Sequence, residues 1–149
     1  MEERIKRAME NHKKGYSCSQ AVACAYCDLL GIDESLLFKM SEGFGLGMGA
    51  MDTCGAVTGM FMVAGLANSS GDLEHCNTKP STMKLVGELR KAFVQKNQSV
   101  VCRELKGVDT KKPLRSCDGC IEDAIRIAGE MIFPKECKAE NMKKDEERK

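Results

Sequence analysis

The chain has 149 residues, 42% of them hydrophobic and 30% charged, with a formal net charge of +1. That length allows one domain with a core of its own. The near-neutral charge argues against a global field suited to nucleic acid or an anionic membrane. Aromatic residues are only 5% of the total and no basic run is interleaved with them, so base stacking is not expected either.

The first residues, Met1-Glu2-Glu3-Arg4-Ile5-Lys6-Arg7, are charged and helical in pattern and lack the apolar stretch of an export signal. Ile5, Ala8, Met9 and His12 keep the spacing of one helical face, and Gly15 suits a left-handed cap. Ser17 or Ser19 caps a second helix reaching to about Leu30, closed by Gly31. Asp33 caps a third, carrying Leu36, Leu37 and Met40. Glycine then occupies every second position from Gly43 to Gly49, a pattern poor for both helix and packed strand. It reads as a tight ordered loop leading to Asp52-Thr53, the expected cap of a helix beginning at Cys54.

The segment Thr53 to Ala67 is the most apolar, but it is too short to span a bilayer, and no membrane insertion is expected. Within it Gly55 and Gly59 lie one turn apart and offer a smooth patch for a close neighbour, in the same chain or across a homodimer. Asn68 to Lys79 is a polar linker. Pro80 suits the first turn of a helix reaching about Asn97, with Leu85, Val86, Leu89 and Phe93 on one side. Ser99 is the expected cap of a short helix ending at Gly107. A last helix runs from about Cys117 to Phe133 and is stopped by Pro134. The expected architecture is an all-α, single-domain bundle of about five to seven helices over residues 1–137, with 138–149 a charged, solvated or frayed tail.

Nine cysteines are the least ordinary feature of the composition. Without an export signal the expected compartment is the cytoplasm, where thiols stay reduced and cysteine usage points to metal binding or thiol chemistry. At roughly 100° per residue, Cys18 falls with Ala21, Val22, Ala25 and Leu29 on an apolar stripe. Cys117 falls with Ile121, Ala124, Ala128 and Ile132, and Cys120 flanks that stripe. Cys54 and Cys102 lie in first helical turns, where exposed amides and the helix dipole favour a thiolate. Cys24 and Cys27 fall on the opposite, polar face of the second helix. With Cys76, Cys120 and Cys137 they read as peripheral. His12 reads as a helix-end histidine.

The segments Tyr16-Ser17-Cys18-Ser19-Gln20-Ala21-Val22, Phe44-Gly45-Leu46-Gly47-Met48-Gly49, Cys54-Gly55-Ala56-Val57-Thr58-Gly59, Cys102-Arg103-Glu104-Leu105-Lys106-Gly107 and Cys117 with Ile121, Asp123 and Ala124 occur in an order that resembles a bacterial and archaeal family of small proteins. This is the C_GCAxxG_C_C family, described as redox-active and defined by four cysteines and a Cys-Gly-Ala-x-x-Gly motif. The resemblance covers roughly residues 15–132. It implies a redox role in which Cys18, Cys54, Cys102 and Cys117 hold a prosthetic group or act directly as thiols. The five further cysteines depart from the pattern, and Cys120 competes with Cys117 for the fourth place.

Three functions remain open on these residues. The first is a site in which Cys18, Cys54, Cys102 and Cys117 bind an iron–sulfur cluster or zinc, thiolates being soft donors. In it Gly47, Gly49 and Gly55 bring backbone donors to the cofactor. The second is metal-free thiol–disulfide exchange with an unidentified redox partner, led by Cys54 or by a C-x-x-C pair, Cys24–Cys27 or Cys117–Cys120. The third is an accessory module whose cysteines are small buried hydrophobes.

Overall fold

Acidic Glu2 and Glu3 open the first helix and His12, Lys13 and Lys14 close it, matching the polarity of its dipole. This helix, α1, spans Glu2–Lys14 in a computed structural model that describes residues 1–149. Gly15 ends it at φ 116°, as its glycine identity suggested. Helix α2 (Cys18–Cys24) opens with a capping box: the Ser17 hydroxyl accepts from the Gln20 amide, and the Gln20 side chain accepts from the Ser17 amide. Ser19 is not the cap; its hydroxyl donates to the Ser41 carbonyl.

The expected helix to Leu30 is broken into α2 and α3 (Cys27–Leu30). Arg4 and Arg7 both donate to the Ala25 carbonyl at the break. Tyr26 turns inward there, stacks on Phe133 and donates to the Ile125 carbonyl at 2.6 Å. Helix α4 (Glu34–Glu42) follows, capped by Asp33 as expected.

The remaining helices are α5 (Gly55–Asn68), α6 (Lys79–Asn97), α7 (Cys102–Lys106), α8 (Cys117–Ile132) and α9 (Pro134–Glu147). The class is all-α, with nine helices instead of five to seven. One addition comes from the break at Ala25–Tyr26. The other is α9: Pro134 ends no fold but starts a helix, at a position where its missing N–H has no partner to lose. Glu140 on α9 bonds Arg4 and the Met1 amino group, and Cys137 packs on the core.

Helix α5 is apolar on nearly all sides and sits at the centre, packed against α2, α6 and α8. Ala56, Val57, Met60, Val63 and Ala64 are fully buried on it, with Leu89 and Phe93 from α6 and Ile121, Ala124, Ile125 and Ala128 from α8. The Gly55–Gly59 patch faces α2. A Cβ on Gly59 would stand 2.8 Å from the Ser19 carbonyl oxygen, and one on Gly55 3.2 Å from the Cβ of Cys18. The missing side chains let the two backbones touch, which fixes the distance between Cys18 and Cys54. No helix is long and apolar enough to cross a membrane.

Candidate functional site: a cavity lined by five thiols

The glycine-rich approach to α5 winds left-handed. Leu46, Gly47, Met48 and Gly49 all have φ between 51° and 72°, and the turn Gly47–Met51 closes on itself through the Asp52 amide donating to the Gly47 carbonyl. Four successive residues in this region need an over-determining context. Gly47 explains part of it: a Cβ there would lie 2.5 Å from the Asp52 nitrogen and 2.8 Å from the Cβ of Cys102. The turn delivers residues 52–54 alongside 100–102. Thr53 and Val101 form an isolated antiparallel bridge, with Cys54 donating to the Val100 carbonyl at 2.7 Å and Cys102 to the Asp52 carbonyl at 2.6 Å. These two bonds bring Cys54 and Cys102 side by side.

Cys54 is itself the N-cap of α5, displacing the expected Asp52–Thr53 cap. The backbone of Asp52 is committed to the bridge instead. Cys18, Cys102 and Cys117 are the first residues of α2, α7 and α8. Four helices thus begin at one place, and their starts enclose a cavity of about 200 Å³. Cys18, Cys54, Cys102, Cys117 and Cys120 all line it. The structure therefore gathers the four cysteines singled out in the sequence, and adds Cys120. Gly47 and Gly55 also line the cavity, whereas Gly49 does not: a Cβ built on it meets nothing within 4 Å.

All nine cysteines are free thiols. Within the cavity four of them stand as two neighbouring pairs, Cys54 with Cys120 and Cys18 with Cys117. The neighbouring Cys120 thiol lowers the Cys54 pKa. Burial opposes that shift, and the Ala56 and Val57 amides of the first α5 turn reinforce it. The neighbouring Cys18 thiol lowers Cys117 to about 6, against the cost of burial and helped by the charges of Lys106 and His12. Cys18 and Cys120 move the other way, pushed well above the ordinary thiol range by their sulfur neighbours and by burial. Each pair therefore holds one sulfur toward thiolate and one as thiol.

Cys102 behaves differently from the expectation for a helix start. Burial raises its pKa, with the Cys54 charge adding to the rise and Lys106 opposing it. The five-residue α7 does not offset desolvation.

The donor set is chemically suited to a soft metal or cluster. In this arrangement no three Cys, His, Asp or Glu side chains stand close enough together to share one ion. The sulfurs meet in twos.

Cys24 is fully buried against Ala23 and Leu37, because α4 covers the face of α2 that its polar neighbours suggested was exposed. Burial raises Cys24 to about 12 and raises Cys27 as well, so this C-x-x-C is not an activated pair. Cys76 is exposed in the linker, and Cys137 lies on α9. Lys106 and Arg115 escaped the sequence reading, and His12 was read only as a helix-end histidine, which it is. His12 from the end of α1, Lys106 from α7 and Arg115 from the loop before α8 all line the cavity, and no acidic residue does. The one local signal was Cys117-x-x-Cys120, a spacing that puts both sulfurs on one side of a helix.

No curated protein and no solved structure matches the chain. A family model described as "Putative redox-active protein (C_GCAxxG_C_C)" matches residues 16–131, a span that takes in all five cavity cysteines and every helix start around them. By that match the chain belongs to the C_GCAxxG_C_C family.

Proposed function

We propose that the chain is a dithiol–disulfide redox protein working through Cys18–Cys117 and Cys54–Cys120. The observation that supports this most directly is the gathering of Cys18, Cys117, Cys54 and Cys120 in one cavity, with one member of each pair favoured as thiolate by its neighbour. Thiol–disulfide exchange needs both states together: the thiolate attacks and the neighbouring thiol resolves. Cys117 is half-buried and Cys54 buried, so the outer pair meets a disulfide first. The Cys117 thiolate attacks one sulfur of the incoming disulfide, forming a mixed disulfide and expelling the other sulfur as a thiolate. The Cys18 thiol gives its proton to that leaving thiolate, then attacks the Cys117 sulfur and expels the second thiol-bearing fragment. Two electrons pass to the substrate, and the chain keeps a Cys18–Cys117 disulfide. Cys54 and Cys120 lie deeper in the same cavity and have the same complement of thiolate and thiol.

The test is thiol counting with a small disulfide at neutral pH. Each disulfide reduced should consume two protein thiols, and Cys117→Ser should abolish the fast reaction while leaving helicity intact. Unchanged rates in both Cys117→Ser and Cys54→Ser would overturn the proposal.

The second reading is a zinc ion or an iron–sulfur cluster on Cys18, Cys54, Cys102 and Cys117, favoured by five sulfurs lining one cavity. Metal analysis and a visible spectrum after anaerobic purification separate the two. Stoichiometric metal that disappears in Cys102→Ser would favour this reading over the first.

A further inference from the structure

Arg115 lies across the first turn of α8, against Gly119. A Cβ at Gly119 would stand 2.3 Å from the Arg115 Nε and 2.6 Å from its Cζ, so the bare glycine leaves the guanidinium its present seat against α8. One edge of that guanidinium is anchored. Its Nε donates to Asp123 Oδ2 at 3.1 Å and its Nη2 to Oδ1 at 3.3 Å. Asp123 is 1% exposed, accepts also from Asn97 and Lys96, and is the fixed wall on which Arg115 rests. The remaining nitrogen, Nη1, makes no hydrogen bond to the protein. Arg115 borders the thiol cavity, and so does the exposed Lys106, which takes part in none of the chain's ion pairs. The third cation, His12, is engaged with Asp118 at 2.8 Å.

We infer that Arg115 and Lys106 form an anion subsite beside Cys117, and that the disulfide taken by this cavity is a small one carrying a carboxylate or a comparable anionic group. The inference rests on the thiol-exchange reading for the disulfide, but not for the subsite. A held guanidinium with a free donor edge binds carboxylate with defined geometry, and the free ammonium adds charge without competing for it. The cavity holds about 200 Å³ and contains no carboxylate among its lining residues. That is below the usual range for drug-sized ligands, roughly 300–1,000 Å³. It suits a molecule of amino-acid size and not a protein loop. Fixed positive charge at the mouth also raises the local concentration of anions, more so at low salt.

The test compares two alkylating agents on Cys117, anionic iodoacetate and neutral iodoacetamide, each scaled to free cysteine. Taking the ratio cancels the thiolate fraction, which Lys106 itself influences. The ratio in the native chain should exceed the free-cysteine ratio by about tenfold at low ionic strength and shrink with added salt. It should fall toward the free-cysteine value in Lys106→Gln, an exposed and unpaired position whose replacement leaves folding intact, and in Arg115→Gln. A native ratio equal to that of free cysteine overturns the subsite, whether or not the protein exchanges disulfides. A parallel arm uses 3,3′-dithiodipropionate and 2-hydroxyethyl disulfide. Faster reaction with the dianion, lost in Lys106→Gln, supports the substrate class, and equal rates overturn it. If neither disulfide reacts while the alkylation ratio stays raised, the exchange reading falls and the subsite stands.

Discussion

Cys120 on α8 and Cys54 at the start of α5 line the same cavity, where the two helices pack at the centre of the bundle. Because the Cys120 thiol is the largest influence holding Cys54 toward thiolate, its removal has a signed consequence. In Cys120→Ala the Cys54 pKa should rise, and alkylation of Cys54 at neutral pH should slow several-fold. Cys120→Ser keeps a hydroxyl donor and should keep most of the rate. Peptide-resolved alkylation against pH measures both, and equal loss in the two variants would assign the effect to packing instead of hydrogen bonding.

Cys117 is the second signed case. Its pKa falls from 9.0 to about 6 in the fold. A depressed acid contributes stability that is present above the unfolded value and is lost as pH falls through the folded one. Thermal stability should therefore climb between about pH 6 and pH 9. Above that window the raised Cys18 thiol reverses the trend, because the unfolded chain ionises and the folded one resists. In Cys117→Ser the climb should flatten. Melting temperature across the pH series is the readout.

Cys102 and Cys120 separate the two readings of the site. If the sulfurs act in pairs, Cys102→Ala should change the exchange rate less than about twofold, since Cys102 has no thiol partner and burial raises its pKa. Cys120→Ala should then remove the inner pair's ability to close a disulfide. If four sulfurs hold one group, the ranking inverts and Cys102→Ala is the damaging change. Stopped-flow thiol consumption by both variants decides between them.

Much of the scaffold was legible because its signals are local. Ser17, one of the two caps offered, and Gly15, Gly31 and Gly107 mark helix ends by chemistry that acts within one turn, and each is used as such. The four central cysteines were legible as a set, by their placement on helix stripes and first turns and by the family pattern. Cys120 was legible only as a rival or partner to Cys117, because the face arithmetic of α8 places it at the stripe's edge, and only the position of α5 decides that this edge meets Cys54. His12, Lys106 and Arg115 arrive from three separate stretches of chain, so no local pattern joins them. Cys24 was misplaced for the same reason: α4 covers it, and a helix's own periodicity says nothing of what lies over its polar side.

Gly59 tests the close approach that sets Cys18 against Cys54. A side chain there meets the Ser19 carbonyl oxygen at 2.8 Å and the Val22 Cβ at 3.1 Å, and a backbone oxygen cannot move aside without bending α2. Gly59→Leu should destabilise the fold by about 1–3 kcal/mol through overpacking. It should also weaken the Cys18–Cys117 pair by shifting α2. Chemical denaturation gives the first quantity and the alkylation midpoint of Cys117 the second.

Peptide mapping of the chain after mild oxidation by a small disulfide, with alkylation of the remaining thiols, tests the thiol pairing itself. Paired thiols give two reversible crosslinks, Cys18 to Cys117 and Cys54 to Cys120, with Cys102 recovered alkylated. Crosslinks that join other cavity cysteines, or an oxidised chain in which Cys54 and Cys120 are both recovered as free thiols, would contradict that pairing.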